Sequence, residues 1–347
     1  MTKRLNMTVS RKRDDILQVN GVTNVIADFK LTHMKVLMVI ISSLQEPLRA
    51  KINAHRIGPA AYEKALPPLE EVDLQIVRKI TIPVSEFGLG PNNNYYLLKS
   101  LEELRCTSCR FPQSRSGDKV RYVFTGLITH YVMEPYSGVV DLYILDALVS
   151  RLLFTEDGYG KYSLCQAMSF RNKYTVRLYW LISSWANRGG FCITLDNMRT
   201  LLSVEGSYQR VDNFYTWVLN VARDELRAKS VLFFEYRRTP SSEGVELITF
   251  KIKRHLSEDD QKARLNSFRD YIFNFGVSLG LSDSSVMSIV SSVEPEDYTY
   301  ACSKLGEIKT YVLMHRSSIR DVDGYVLGAI KTWLDKWEER FEELKDR

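Results

Sequence analysis

Five side chains near the middle of the chain, Tyr208, Gln209, Arg210, Asn213 and Thr216, carry hydrogen-bonding groups of the kind that pair with base edges. Guanidinium and carboxamide groups in particular meet purine edges bidentately in the major groove of duplex DNA. A second set, Arg171, Asn172 and Lys173 upstream with Arg237 and Arg238 downstream, is suited to phosphate oxygens, which position a protein without reading sequence. Residues able to make or break covalent bonds are not grouped in the same way. Gly160-Lys161 is followed by Tyr162 and lacks the upstream glycine of a phosphate-binding loop, and neither H-E-x-x-H nor G-x-S-x-G occurs. The five histidines, at 33, 55, 130, 255 and 315, stand alone, which gives no support to a metal-dependent strand-nicking relaxase or recombinase. Cys106-Thr-Ser-Cys109 offers two ligands where a structural zinc takes four. The expectation is a binding protein rather than an enzyme, with no metal and no cofactor.

The candidate base readers need an element that presents them together. Tyr174, Leu178, Leu181, Ile182 and Trp185 recur at helical spacing and predict an amphipathic helix over 169–185. Thr194 is placed to cap a short second helix with Leu195, Met198, Leu201 and Leu202 inward. After the break at Gly206-Ser207, a third helix is predicted to bury Phe214, Trp217, Val218, Val221, Ala222 and Leu226, with the polar cluster at its start. Val231–Arg238 reads as a hairpin strand. Helix, short helix, turn, longer helix and hairpin is the order of a winged helix-turn-helix, whose third helix enters the major groove. The same pattern also fits a ligand-free piece of helical bundle. The charges, however, stand where the DNA-reading motif would use them.

The charge distribution points the same way. Residues 161–256 carry 15 basic and 8 acidic side chains (+7), residues 1–160 carry 20 and 17 (+3), and residues 257–347 carry 12 and 17 (−5). A positive field on the candidate reader is what phosphate attraction requires. No apolar run is long enough to span a bilayer, and the N-terminus has no signal-peptide core. An odd, scattered set of 5 cysteines suits a reducing compartment. A cytoplasmic bacterial protein with no membrane partner is expected.

A second outline of the same kind precedes the first. An arm or edge strand is read over 9–26 and an apolar helix over Leu31–Leu44, with Thr32 as cap and Pro47 beyond its end. Residues 48–73 read as an irregular insertion. A strand from Ile76, a short helix from Ser85 and a helix after Asn92 follow, the last with Tyr96, Leu97, Leu101 and Leu104 inward. A hairpin then has a polar tip from Pro112 to Lys119. Asn93, Asn94 and Lys99 on the helix, with Arg110, Arg115, Lys119 and Arg121 on the hairpin, are this domain's candidate DNA contacts. The fold class is therefore α+β, mostly helical: winged-helix domains over 1–160 (dimerisation and backbone contacts) and 161–256 (major-groove reader), then an acidic helical region over 257–347.

Tyr162-Ser-Leu, Ala167-Met-Ser, Arg177-Leu-Tyr179, Ile193-Thr-Leu, Leu201-Leu202, Tyr208, Phe214 and Ala222-Arg-Asp-Glu225-Leu, at their spacing, resemble the iteron-binding replication initiators, the winged-helix Rep proteins of theta-replicating bacterial plasmids. The resemblance covers about residues 25–255 and is most specific over 160–230. It implies binding to directly repeated sites in double-stranded origin DNA without chemistry, and control of plasmid copy number. It also implies recruitment of the host replication initiator and helicase, a monomer–dimer equilibrium and autoregulation at the chain's own promoter. By position, Arg171–Lys173 match the family's phosphate-contacting helix start and Tyr208–Thr216 its recognition helix. The insertion and the acidic region after 256 depart from the compact family pattern. A winged-helix transcriptional regulator without origin activity is the alternative.

Overall fold

The computed structural model describes residues 14–57, 77–88, 94–116, 119–134, 137–153, 155, 158–240 and 246–335. Two compact units result, one built from the chain up to 184 together with 195–230, the other from 185–194 and the chain after 231.

In the first unit, strand β1 (Asp15–Val19) pairs antiparallel with β7 (Tyr159–Ser163), Ile16 opposite Tyr162. The other edge of β1 is closed by one buried side chain. The Gln45 carboxamide accepts the Leu17 N–H at 2.8 Å and donates to the Leu17 carbonyl at 2.8 Å, standing in for a neighbouring strand. After a helical turn, α1 (Asn20–Thr23), helix α2 (Leu31–Ser43) is apolar nearly all round, and Met34 and Val36–Ile41 are buried, as befits a central core helix. Lys30, not Thr32, occupies its cap position, with the Lys30 N–H donating to His33 Nδ1 at 3.3 Å.

The region from 48 is not irregular throughout. Gln45–Ile57 is a helix, α3, and Pro47 lies inside its first turn, where a missing N–H costs nothing. The rest of the expected insertion, 58–73, lies outside the described residues. Strand β2 (Val77–Pro83), a 3-10 turn (Val84–Phe87) and helix α4 (Asn94–Cys106) follow. In the hairpin β3 (Cys109–Ser116) and β4 (Lys119–Thr125), pairing runs as far as Ser116 opposite Lys119, so most of the expected polar tip from Pro112 to Lys119 is paired strand. Strands β5 (His130–Val132) and β6 (Val139–Leu145) complete a sheet of order β2-β6-β5, with Val140, Leu142 and Ile144 on its buried face, and α5 (Asp146–Leu152) follows.

Helix α6 (Leu164–Ser169) is capped by Ser163, whose hydroxyl accepts the Gln166 N–H. In α7 (Lys173–Trp185) every residue from Tyr174 to Ser183 is buried, a wider apolar belt than the sequence pattern suggests. Strand β7 lies close to it: a Cβ on Gly160 would stand 2.9 Å from the Ser184 main chain, which leaves room only for glycine. Helix α8 (Leu195–Leu201) leads through a turn to α9 (Val211–Phe214), which continues without a break through a π segment (Tyr215–Asn220) into α10 (Val221–Lys229).

The second unit starts with β8 (Gly190–Thr194), a strand absent from the sequence expectation, in a sheet of order β8-β10-β9 with β9 (Leu232–Pro240) and β10 (Glu246–Arg254). Phe191 stacks on Phe250 at 4.7 Å to form the centre of this sheet's core. Helices α11 (Glu258–Leu279), α12 (Asp283–Ser292), α13 (Tyr298–Met314) and α14 (Val322–Asp335) enclose a separate apolar cluster around Phe268, Ile272, Ile289, Leu305 and Val326. Ser257 and Ser282 cap α11 and α12 with their hydroxyls. Sheet and helices are joined by a buried ammonium: Lys251 Nζ lies 2.9 Å from both Asp297 Oδ2 and Glu294 Oε2. Mixed, mostly helical α+β structure with small sheets and C-terminal helices is the expected fold class. Among the described residues, no helix is long and apolar enough to cross a membrane.

Candidate nucleic-acid interface

The continuous helix from Val211 to Lys229 has two unlike faces. Phe214, Tyr215, Val218, Leu219, Ala222 and Leu226 are buried, none more than 4 % exposed. Gln209, Arg210, Asn213, Thr216 and Trp217 are exposed on its other side and around its start. Four of the five proposed base readers thus lie together in solvent, pointing away from a fixed hydrophobic seam. Trp217 is the exception to the sequence pattern. It was expected inside, three residues after Phe214, yet it is 60 % exposed. The buried pairs Phe214–Tyr215 and Val218–Leu219 carry the seam through the π segment and leave Trp217 on its flank.

The fifth residue has a different setting. Tyr208 is half-buried in the left-handed region, φ 54°, with its ring edge-on to Tyr174 at 6.2 Å. Burial, followed by the contact with Tyr208, pushes the Tyr174 phenol well above its ordinary range. Arg199 from α8 donates to the Tyr208 carbonyl at 2.8 Å and lies over the Phe214 ring at 5.7 Å. The turn into the reader helix is therefore held by a guanidinium and a tyrosine pair.

The candidate phosphate contacts at the start of α7 are partly engaged. The Arg171 and Asn172 N–H groups donate to the two Glu225 carboxylate oxygens at 2.8 and 3.3 Å, and Lys229 Nζ lies 2.7 Å from the same carboxylate. Asn172 Oδ1 accepts the Tyr174 N–H at 2.8 Å as a helix cap. Glu225, reaching over from α10, thus occupies the anion position that the positive end of α7 offers. Its carboxyl feels burial, which raises its pKa, but the Lys229 ammonium and the Arg171 amide outweigh this and hold it below the usual carboxylate range. The Arg171 side chain is exposed, whereas Lys173 pairs with Asp28 at 3.0 Å. Only side chains, not the helix-start amides, are left for a phosphate there.

Arg237 and Arg238 are exposed on β9, opposite Thr249 and Ile248, with Arg238 Nε 2.6 Å from Glu246. In the first domain, Asn94 and Lys99 are exposed on α4, while Asn93 lies outside the described residues. Tyr96 is not inward: it is 59 % exposed, as Tyr95 is at 69 %, and Leu97, Ser100, Leu101 and Leu104 form the buried side. Arg110 is half-buried on β3, where its main chain bridges to Ile26. Arg115 on β3 and Lys119 and Arg121 on β4 stand near the closed end of that hairpin.

Two residues outside the candidate list support the site. Arg177 is a buried cation whose Nη2 donates to the carbonyls of Val25 (2.5 Å) and Leu201 (2.8 Å), and burial pulls its pKa down to about 10. Glu225 is the other. In the sequence both residues belong to the stretches that carry the family resemblance, but Glu225 and Lys229 show only the spacing of a local pair, and nothing local marks Arg177 as a buried cation. Among the described residues no group of three His, Cys, Asp or Glu could hold a metal. Burial pushes the Cys109 thiol up to about 12, away from thiolate chemistry.

A buried helical scaffold with one exposed polar helix face and a separate three-stranded wing sheet defines the winged-helix class of DNA-binding domain. Residues 194–252 match the family model described as "Initiator Rep protein, WH2". This segment is thus similar to the second winged-helix domain of initiator Rep proteins, and the resemblance to the replication initiators holds there. A search of curated proteins finds no match. Among solved structures, "Crystal structure of Pi initiator protein in complex with iteron DNA" is similar over 72% of this chain and 100% of that one, at 16% identity and a TM-score of 0.46.

Proposed function

We propose that the chain is a non-enzymatic replication initiator of a plasmid or mobile element. It binds directly repeated sites in duplex origin DNA, promotes opening of the origin, recruits the host initiator and helicase, and represses its own promoter. The carrying observation is the exposed set Gln209, Arg210, Asn213 and Thr216 around the start of a helix whose other face is sealed, inside a segment of the Rep winged-helix family. In this reading Arg210 and Asn213 bond base edges. Arg171, Lys173, Arg237 and Arg238 meet phosphates, and Asn94 and Lys99 give the first domain its own contacts with the backbone.

Binding of the full chain to the DNA flanking its gene tests this. Arg210→Ala and Asn213→Ala should each cost about 1–3 kcal/mol on the cognate repeat and little on random DNA. Lys173→Ala and Arg238→Ala should weaken both alike and flatten the salt dependence. Equal losses on every sequence for all four variants would remove the reader assignment. A single palindromic footprint at the promoter, in place of protected direct repeats, would favour a transcriptional regulator.

A further inference from the structure

Trp217 is 60 % exposed on the helix face that carries Asn213 and Thr216, while Trp180 and Trp185 are 1 % and 5 % exposed. Its neighbours Val218 and Leu219 are fully buried, which fixes the helix rotation and keeps the indole out of the core. Among the described residues, no ring or cation covers it. One large apolar ring among hydrogen-bonding side chains matches one feature of the major groove. Each base pair there offers donors and acceptors, and only thymine adds a methyl group.

We propose that Trp217 determines specificity by packing its indole against the 5-methyl group of a thymine in the recognised site. This rests on the reading of the Val211–Lys229 helix as the one that enters the groove. Trp217 stands seven residues after Arg210, about 10 Å along a helix. The thymine should therefore fall within about three base pairs of the pair that Arg210 reads.

The probe is a duplex selected by the full-length protein from a random-sequence pool, then resynthesised with deoxyuridine replacing each thymine in turn. One replacement, near the Arg210-dependent pair, should weaken wild-type binding about fivefold. Trp217→Ala should lower affinity on the order of tenfold and be indifferent to that same replacement. Trp217→Phe, which keeps an apolar ring, should retain sensitivity, and Arg210→Ala should retain it at reduced affinity. If Trp217→Ala binds like wild type and no deoxyuridine matters, while Arg210→Ala has lost affinity, the helix reads DNA and the indole does not, which overturns this proposal alone. If Arg210→Ala also binds like wild type, the assignment of the helix as reader fails first. Because Trp217 is exposed, its variants should melt at the wild-type temperature, so lost binding would not mean lost fold.

Discussion

Replacing Glu225 tests whether the start of α7 is held by a carboxylate delivered from the reader helix. In the wild type the carboxylate accepts two main-chain N–H groups, from Arg171 and Asn172, and its side chain is 12 % exposed. A hydrogen bond to a charged group contributes about 1.5–3 kcal/mol, and water can recover part of the loss because Arg171 is at the surface. Glu225→Ala should therefore weaken local closure by about 2–3 kcal/mol, and Glu225→Gln, which keeps one acceptor, by about half as much. Amide exchange of a peptide spanning residues 164–176 reads this directly. At neutral pH the Arg171 and Asn172 protons should exchange roughly 30 to 150 times faster in Glu225→Ala. The carboxyl is held below its ordinary value of 4.5, so its contribution is complete above that pH and disappears as pH falls through the folded value. The gap between wild type and Glu225→Gln should accordingly close in acid. Unchanged exchange in Glu225→Ala, or a gap to Glu225→Gln that does not shrink at all as pH falls, would refute the clamp.

Other sites give sharp expectations as well. Burial alone would lower the Lys251 pKa, but hydrogen bonds and charge from Asp297 and Glu294 reverse the shift, so the buried ion pair is intact at neutral pH. Asp297→Ala should cost about 3–5 kcal/mol by stranding that ammonium, and the Lys251→Met/Asp297→Ala double variant should recover part of it; thermal melting checks the order. His33 is buried and shifted below 6.5 because burial opposes its charge more than Glu103 favours it. Its contribution to stability is present above that value and lost as pH falls below it, so His33→Gln should flatten the fall in urea midpoint between about pH 7 and pH 5. Gly160→Ala, whose methyl would meet the Ser184 backbone, should destabilise by about 1–3 kcal/mol in the same assay.

What was legible in the sequence is what short-range periodicity controls. The helix of 173–185, the apolar helix α2 and the exposed polar cluster around the start of the reader helix all follow from local spacing. The errors share a cause. Residues 48–57 looked irregular because Pro47 precedes them and nothing local marks it as a first-turn proline, where the residue is harmless. Trp217 looked buried because Phe214 lies three residues before it, yet the seam advances as pairs through the π segment. Strand β8, which lies before the expected Thr194 cap, was not foreseen, because its five residues take strand form from pairing with β10, some 55 positions away. Tyr96 was turned inward by a stripe that needs only Leu97, Leu101 and Leu104.

The contacts that hold the candidate reader in place were the least visible, because they join distant residues. Residues 14–28 illustrate this. The Asp14 carboxylate accepts the Ser163 hydroxyl and the Cys165 N–H at 2.8 and 2.9 Å, Asp28 pairs with Lys173, and the Val25 carbonyl receives Arg177. The first described stretch of chain is thereby fastened to the helices that precede the reader by three polar links, one of them a buried cation. Pulling this strap away would strand the Arg177 guanidinium with only the Leu201 carbonyl, at a cost far above that of exposing an apolar side chain of similar size. Any rearrangement of this unit should therefore leave residues 14–28 and the helices α7 and α8 as one piece and place its hinge elsewhere. The same argument explains why a positive charge sits among the buried residues of α7: it satisfies two main-chain carbonyls, of Val25 and Leu201, that lie far apart in the sequence.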